Sequence, residues 1–458
     1  MSRMRKKTHG ARWRMAWILT GILVLLLVAA ALIIPQWAGQ YLRGPAFRAT
    51  LEREVGRALH AEVTIDPLQW SGPVVYSGSL EAKGRPGSVV QSLRASEVRA
   101  TIDWRAAFGG IWRVEGIDAI DLTAVISPYH GSREETPPEP SPDTGAMRKF
   151  LPSTFDAGPI NAKRARITLE RGDGENLILQ NAALTFRKTG ASLEIDGTGG
   201  ELKLGARPEI EMDSFRSRVS QGVFFLTEAR GRFREGGKVS AHGEFSKESR
   251  CHVEWEGLDV TKWIHKNWAG HLTGRLAGTA DIRTGADGTR VEGTFLLTEG
   301  LLQNIETLDR VAKFTGSPQF QRMPLQHVSG KFATADAAWT IDDFVLESKG
   351  LLKATGSLRV SPQGDLEGNL EVGVGPQVLQ WIPGSRERVF TSNRDGYIWT
   401  PVRLGGTLAH PKEDLSVRLT VAAQQEVIQT GVRAITDPAG TVIDGARGIL
   451  DSLAPLLD

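Results

Sequence analysis

A short phrase of glycine, a polar residue, then Leu or Phe restricts the fold of this chain more than any other feature. Gly-x-(Leu/Phe) occurs fifteen times between Pro35 and Gln424, and in twelve of these the middle residue is polar, which makes it a weak internal repeat. Instances are Gly78-Ser79-Leu80, Gly231-Arg232-Phe233, Gly243-Glu244-Phe245, Gly274-Arg275-Leu276, Gly293-Thr294-Phe295, Gly330-Lys331-Phe332, Gly356-Ser357-Leu358, Gly368-Asn369-Leu370 and Gly406-Thr407-Leu408. The exceptions start at Gly222, Gly300 and Gly350, where the middle residue is Val or Leu. In a strand, neighbouring side chains point to opposite faces and residues two apart share one. The phrase therefore sets its Leu or Phe on one face and its polar residue on the other. It predicts a sheet with one wet face. The leading glycine relaxes a strand at a bend or bulge, or lets another surface come close.

The start of the chain obeys a different rule. "MSRMRKKTHGARWR" carries Arg3, Arg5, Lys6, Lys7, Arg12 and Arg14, and the following "MAWILTGILVLLLVAAALIIP" has no charge. At about 1.5 Å per residue such a helix spans the roughly 30 Å core of a bilayer. Trp13 and Trp17 lie at one end and Trp37 and Tyr41 at the other, where membrane-interface aromatics belong. Basic residues precede the run, so residues 1–14 are expected in the cytoplasm, 15–36 as a transmembrane anchor, and the remainder exported. A cleaved signal peptide would have a shorter apolar core of about 7–15 residues. Ala29 to Ala31 are moreover followed by more apolar sequence, so an uncleaved anchor is the expectation.

Composition then excludes several classes. With 55 basic and 53 acidic residues the net charge is +2, so no nucleic-acid footprint is expected. Cys251 is the single cysteine, which rules out an intramolecular disulfide framework. An exported domain of this length has enough chain for a core without staples.

Along the chain, "GPAFRATLEREVGRALH" places Phe47, Leu51, Val55 and Leu59 four apart, on one stripe of a helix. Strand patterns follow, and residues 44–127 form a β region with this leading helix. Residues 128–152, "PYHGSREETPPEPSPDTGAMRKFLP" in large part, are proline- and charge-rich and predict a linker or long loop. Residues 153–423 resume the β pattern. "ITLERGDGENLILQ" predicts a hairpin, with Gly172-Asp173-Gly174 at the turn. "LQNIETLDRVAKFTG" is briefly helical through Ile305, Leu308, Val311 and Ala312. In residues 424–458, Val442, Ile443, Ala446, Ile449, Leu450 and Leu453 share one face of an amphipathic helical tail.

Catalytic signatures are missing from the sequence: there is no Gly-x-Ser-x-Gly elbow, P-loop, His-Glu-x-x-His or dinucleotide fingerprint. His242, Cys251, His252, His265 and His271 form the densest polar group, but their spacing matches no zinc pattern, and Cys251 and His252 fall on opposite strand faces. Asp342-Asp343 in "TIDDFVLE" is expected as a turn before a strand rather than as a pair of acids. Trp255, Trp263 and Trp268 suggest an aromatic cluster at a sheet end. The expectation is no enzyme, no metal and no cofactor.

Three stretches carry a family resemblance. "LEREVGRALHAEVTIDPLQW" after an anchor resembles the opening of AsmA-like proteins, and "LRASEVRATIDWRAAFGGIWRVEGIDAIDLTAVI" resembles their next piece. "VEGTFLLTEGLLQNIETLDRVAKFTG" together with "LQHVSGKFATADAAWTIDDFVLESKGLLKATGSLRV" is similar to the AsmA-like C-terminal module. The resemblance implies an inner-membrane anchor in a bacterium with two membranes, and an elongated, twisted antiparallel β-sheet groove in the periplasm, with short helices. It also implies carriage of phospholipid towards the outer membrane and partnership with an outer-membrane or periplasmic envelope protein. On that reading Leu80, Phe233, Phe245, Leu276, Phe295, Phe332, Leu358, Leu370 and Leu408 line the groove against acyl chains. Two alternatives stay open here: the apolar face closes as a sandwich, or the protein serves as a scaffold or chaperone-like factor that carries no lipid.

Overall fold

Alternation at period two becomes sheet wherever neighbouring runs are long enough to pair. The computed structural model describes residues 43–436, apart from 104–105, 107–110, 128–153, 171–175, 206–207, 247, 265, 267, 287, 306–307, 310–311, 313–317, 336, 381–383 and 408–409. The anchor and its Trp13, Trp17, Trp37 and Tyr41, the proline-rich stretch, Leu408 and the tail beyond 436 lie outside those residues. Among the described residues no helix is long and apolar enough to cross a membrane. The fold is mainly β, and the chain divides into two compact units, residues 1–188 with 200–207 and residues 189–199 with 208–458.

The first unit opens with the expected helix, Pro45–Leu59, which has proline in its first turn and ends on His60 in the left-handed region. Phe47 and Leu51 pack with Val75, Ile102, Leu68 and Trp70. The chain then enters strand Ala61–Ile65, antiparallel to Val74–Gly84, which pairs in turn with Val90–Asp103 and Ile111–Ile126. Leu80 lies opposite Ile65 and Ala95, half-buried on the apolar face of this unit. One pairing departs from the antiparallel expectation. Ile111–Ile126 runs parallel to Thr154–Ala157 and Ile160–Leu169. Parallel neighbours need a connection of about a dozen residues or more, and the proline-rich stretch supplies it. The two strands of the expected hairpin pair, with Leu169 opposite Leu177, while Gly172-Asp173-Gly174 at its turn lie outside the described residues.

The second unit is an antiparallel ladder. Ser192–Thr198, Ile210–Ser220, Val223–Phe233, Lys238–Phe245, Ser249–Asp259, Leu272–Gly285 and Gly288–Gln303 each pair with the next. His327–Ala335, Ala338–Ser348, Leu352–Val360, Leu366–Val374 and Tyr397–Gly406 continue it in the same way. Register shifts recur along the ladder, and each bulge bends its strand and raises the local twist. Asp342-Asp343 marks one of them. These residues are not a turn before a strand but lie inside Ala338–Ser348, with Asp343 at φ 50°. The bulge explains why they fall out of phase with the alternation. Asp343 faces solvent, with its carboxylate 2.8 Å from the Lys331 ammonium.

A second correction concerns the C-terminal helix. It begins at Leu415 rather than 424, because Leu415, Leu419 and Ala422 are spaced to pack on Val374, Leu379, Val389, Phe390 and Ile398. "LSVRL" alternates like a strand, but tertiary packing takes it into the helix.

Candidate functional site

Residues paired across an antiparallel ladder share a face, so the register assigns every side chain. Leu276, Gly278, Ala280 and Ile282 stand opposite Leu297, Phe295, Gly293 and Val291. Those in turn stand opposite Val328, Gly330, Phe332 and Thr334. Continuing outward, Phe332 meets Ile341, Ile341 meets Leu358, and Leu358 meets Gly368. In the other direction Trp255 meets Gly278 and Val239, and Phe245 meets Phe224. One face of the unit is therefore apolar across the ladder, and Phe233, Phe245, Leu276, Phe295, Phe332, Leu358 and Leu370 all lie on it.

The glycine of the phrase has a specific partner. Gly293 is opposite Phe332 while Phe295 is opposite Gly330, and Gly356 is opposite Leu370 while Leu358 is opposite Gly368. These two antiparallel pairs of phrases are thus reciprocal, with a large side chain of one strand filling the space over the glycine of the other. A Cβ on Gly330 would lie 2.9 Å from the Phe295 ring, and one on Gly368 would lie 2.7 Å from Leu358 Cδ2. The surface that glycine lets come close is the neighbouring side chain.

This face is sealed at one end of the strands and partly open at the other. At the sealed end, or base, Val260, Leu297, Met323, Leu325 and Val328 form a buried cluster, with Leu272, Leu276, Leu302 and Leu346 packed against it. Met323 is 0% exposed and Phe233 9%. Towards the opposite ends of the strands, Phe245, Ile282, Val291, Phe332, Leu358, Val360 and Leu370 are only half-buried, and Trp339 is 47% exposed. Trp255, Phe332 and Trp339 form an aromatic row here, with ring centroids 6.5 and 6.0 Å apart. We call this open end the mouth. The expected groove residues thus split: Phe233 and Leu276 belong to the base, whereas Phe245, Phe332, Leu358 and Leu370 belong to the mouth, with Phe295 between them.

The three tryptophans expected to cluster do not meet. Trp263 packs edge-on against Phe233, and Trp268 against His271, while Trp255 joins Phe332. Strand pleat and the short 3-10 turn at Val260–Lys262 send them to different places.

On the polar face His242 and His252 are cross-strand neighbours with ring centroids 5.0 Å apart. His252 Nδ1 lies 2.8 Å from Asp281 and Nε2 3.3 Å from Glu254. The hydrogen bond to Asp281 is the first cause that raises the His252 pKa, against partial burial, which lowers it. Cys251 faces the apolar side opposite Ile282, and burial pushes its thiol up. His271 lies before Leu272 at the base end, away from His252, and His265 is outside the described residues. Among the described residues no group of three or more His, Cys, Asp or Glu is placed to hold a metal ion.

Trp339 and the base residues Met323 and Leu325 were not singled out by sequence reasoning. Trp339 is at least legible as the apolar partner of Ile341, two residues on. "QRMPLQ" shows no sustained alternation to mark it. Comparison with known proteins finds no family model, no curated relative and no solved structure that matches this chain.

Proposed function

We propose that this protein is a membrane-anchored carrier that holds phospholipid acyl chains on the apolar face of its second unit. One observation carries the reading: that face is buried at its base but half-exposed at its mouth, where Phe332, Trp339, Leu358 and Leu370 remain in contact with solvent. A sandwich would cover them with a second layer. Left uncovered, apolar area favours an apolar occupant by about 25 cal/mol per Å². An acyl chain gains about 0.8 kcal/mol for each methylene it buries, so two tails need no specific pocket and no catalytic group.

In this reading the uncharged run at residues 15–36 holds the protein in a bacterial inner membrane, with residues 1–14 in the cytoplasm and the β units in the periplasm. The bulged, twisted ladder forms an elongated groove of AsmA-like type. Phospholipid moves along it towards the outer membrane, where an envelope protein receives it. Within the first unit, Leu80 on that unit's own apolar face is read as an acyl contact of the same kind.

The test uses charge at the mouth. Leu358→Glu and Phe332→Glu face the groove, while Ser357→Glu and Asn369→Glu occupy the polar face as controls. Phospholipid retained by the full-length protein, purified in mild detergent, is quantified by mass spectrometry. The groove-facing pair is expected to lose lipid and the controls to keep it. Equal lipid in all four variants, or none in the wild type, would overturn the carrier in favour of a scaffold that holds no lipid.

A further inference from the structure

The polar face at the mouth carries a second pattern. Arg250 stands directly opposite Arg283, and Arg283 directly opposite Arg290, so three guanidinium groups form a row across adjacent strands. All three are exposed. None has an ion-pair partner among the described residues, whereas elsewhere the polar faces match charges across strands. Arg164 meets Asp121 and Arg232 meets Asp213, each at 2.8 Å. Like charges placed directly opposite destabilise a sheet. Among the described residues no carboxylate lies in ion-pair contact with the row. Asp281 and Glu254 are engaged by His252, while Glu244, opposite Arg250, and Glu292, beyond Arg290, make no ion pair with it.

Position adds to charge. The row lies next to the turns that follow Phe245 and Gly285, at the mouth end of the strands, and Arg250 and Arg283 line a shallow depression there with Arg218, His242 and His252 and with the carboxylates of Glu244 and Asp281. Ile282 and Val291 alternate with these arginines and face the apolar side. We propose that the Arg250–Arg283–Arg290 row binds a phosphate group at the mouth of the apolar face. Guanidinium forks match phosphate oxygens bidentately, and a bound dianion or diester converts mutual repulsion into shared attraction. Where the phosphate belongs to a lipid whose chains occupy the apolar face, the inference rests on the carrier reading above. Free inorganic phosphate offers the same chemistry.

Two arms on the full-length protein in neutral detergent separate these sources, each comparing the wild type with the triple variant Arg250→Gln, Arg283→Gln, Arg290→Gln. In the first arm, thermal melting is followed in inorganic phosphate and in sodium chloride of equal ionic strength. Phosphate is expected to raise the wild-type melting temperature above that in chloride by more than it raises the variant's, since the general stabilisation by a surface-excluded anion acts on both proteins alike. The variant is expected to melt no lower than the wild type in chloride, because the repulsion has been removed. In the second arm, the protein is exchanged into mixed micelles containing phosphatidylglycerol and diacylglycerol with the same chains, and the retained lipids are measured by mass spectrometry. The ratio of phosphatidylglycerol to diacylglycerol is expected to fall about tenfold in the variant, the scale of losing one charge-assisted hydrogen-bonded contact. A phosphate-specific shift in a wild type that retains neither lipid would leave the row as a free-phosphate site and remove the carrier reading alone. Lipid retained at the same ratio by both proteins, with no phosphate-specific shift, would overturn the row and leave the carrier standing.

Discussion

A buried carboxylate distinguishes the base from the mouth. Met323 is 0% exposed among Val260, Leu297, Leu325 and Val328. Met323→Glu would leave a charge with no partner there, at a cost of roughly 3–5 kcal/mol. That is a large share of a domain stability of about 5–15 kcal/mol. Leu358 is half-buried between Ile341 and Gly368, and the carboxylate of Leu358→Glu can turn towards solvent at the mouth. It forfeits only part of the 1.5–3 kcal/mol of a fully buried leucine, or about 1 kcal/mol. Urea unfolding followed by tryptophan fluorescence should therefore place Leu358→Glu close to wild type and Met323→Glu far below it, or unfolded. If the two substitutions cost the same, the face is sealed along its whole length and the distinction fails.

Gly330→Ala should cost about 1–3 kcal/mol by forcing the Phe295 ring off its seat, and Phe295→Leu in the same chain should recover part of that, measured as a double-mutant cycle. His252 has a folded-state pKa raised chiefly by Asp281, so its contribution to stability is full below its unfolded pKa and is lost as pH rises through the folded value. The urea midpoint should show that loss on going from acid to mildly alkaline buffer, and His252→Gln should flatten it. Cys251, with its thiol pushed up by burial, should react slowly with a maleimide at neutral pH and quickly once urea unfolds the ladder. Tyr397→Phe removes a phenol that accepts from the Gly350 amide at 3.0 Å, and a melting curve should show a loss of about 1–2 kcal/mol.

Much of the fold was legible because period-two alternation is local. Leu80, Phe332 and Leu358 each announce their face through the polar residue beside them, and Phe47 with Leu51 announces the first helix. What the glycines do was not legible, because reciprocity between Gly293-Thr294-Phe295 and Gly330-Lys331-Phe332 depends on register between strands far apart in sequence. The bulge at Asp343 and the parallel pairing of Ile111–Ile126 are non-local for the same reason. Helix Leu415–Thr436 misleads because "LSVRL" suits a strand as well as a helix until the core beneath it is known. As for the candidate site, its apolar side chains could be read from the phrase, but its division into base and mouth could not. That division depends on Met323 and Leu325, in a segment with no periodicity, and on which strand ends the buried cluster covers.

The central claim is that acyl chains occupy the mouth of the apolar face, and photo-crosslinking in cells tests it most directly. Benzoylphenylalanine is placed singly at Phe332, Leu358, Lys331 and Asn369 of the full-length protein, and irradiated samples are analysed for covalently attached lipid. The account predicts phospholipid adducts from Phe332 and Leu358 and none above background from Lys331 and Asn369. Adducts from all four positions alike, or from none, would contradict it.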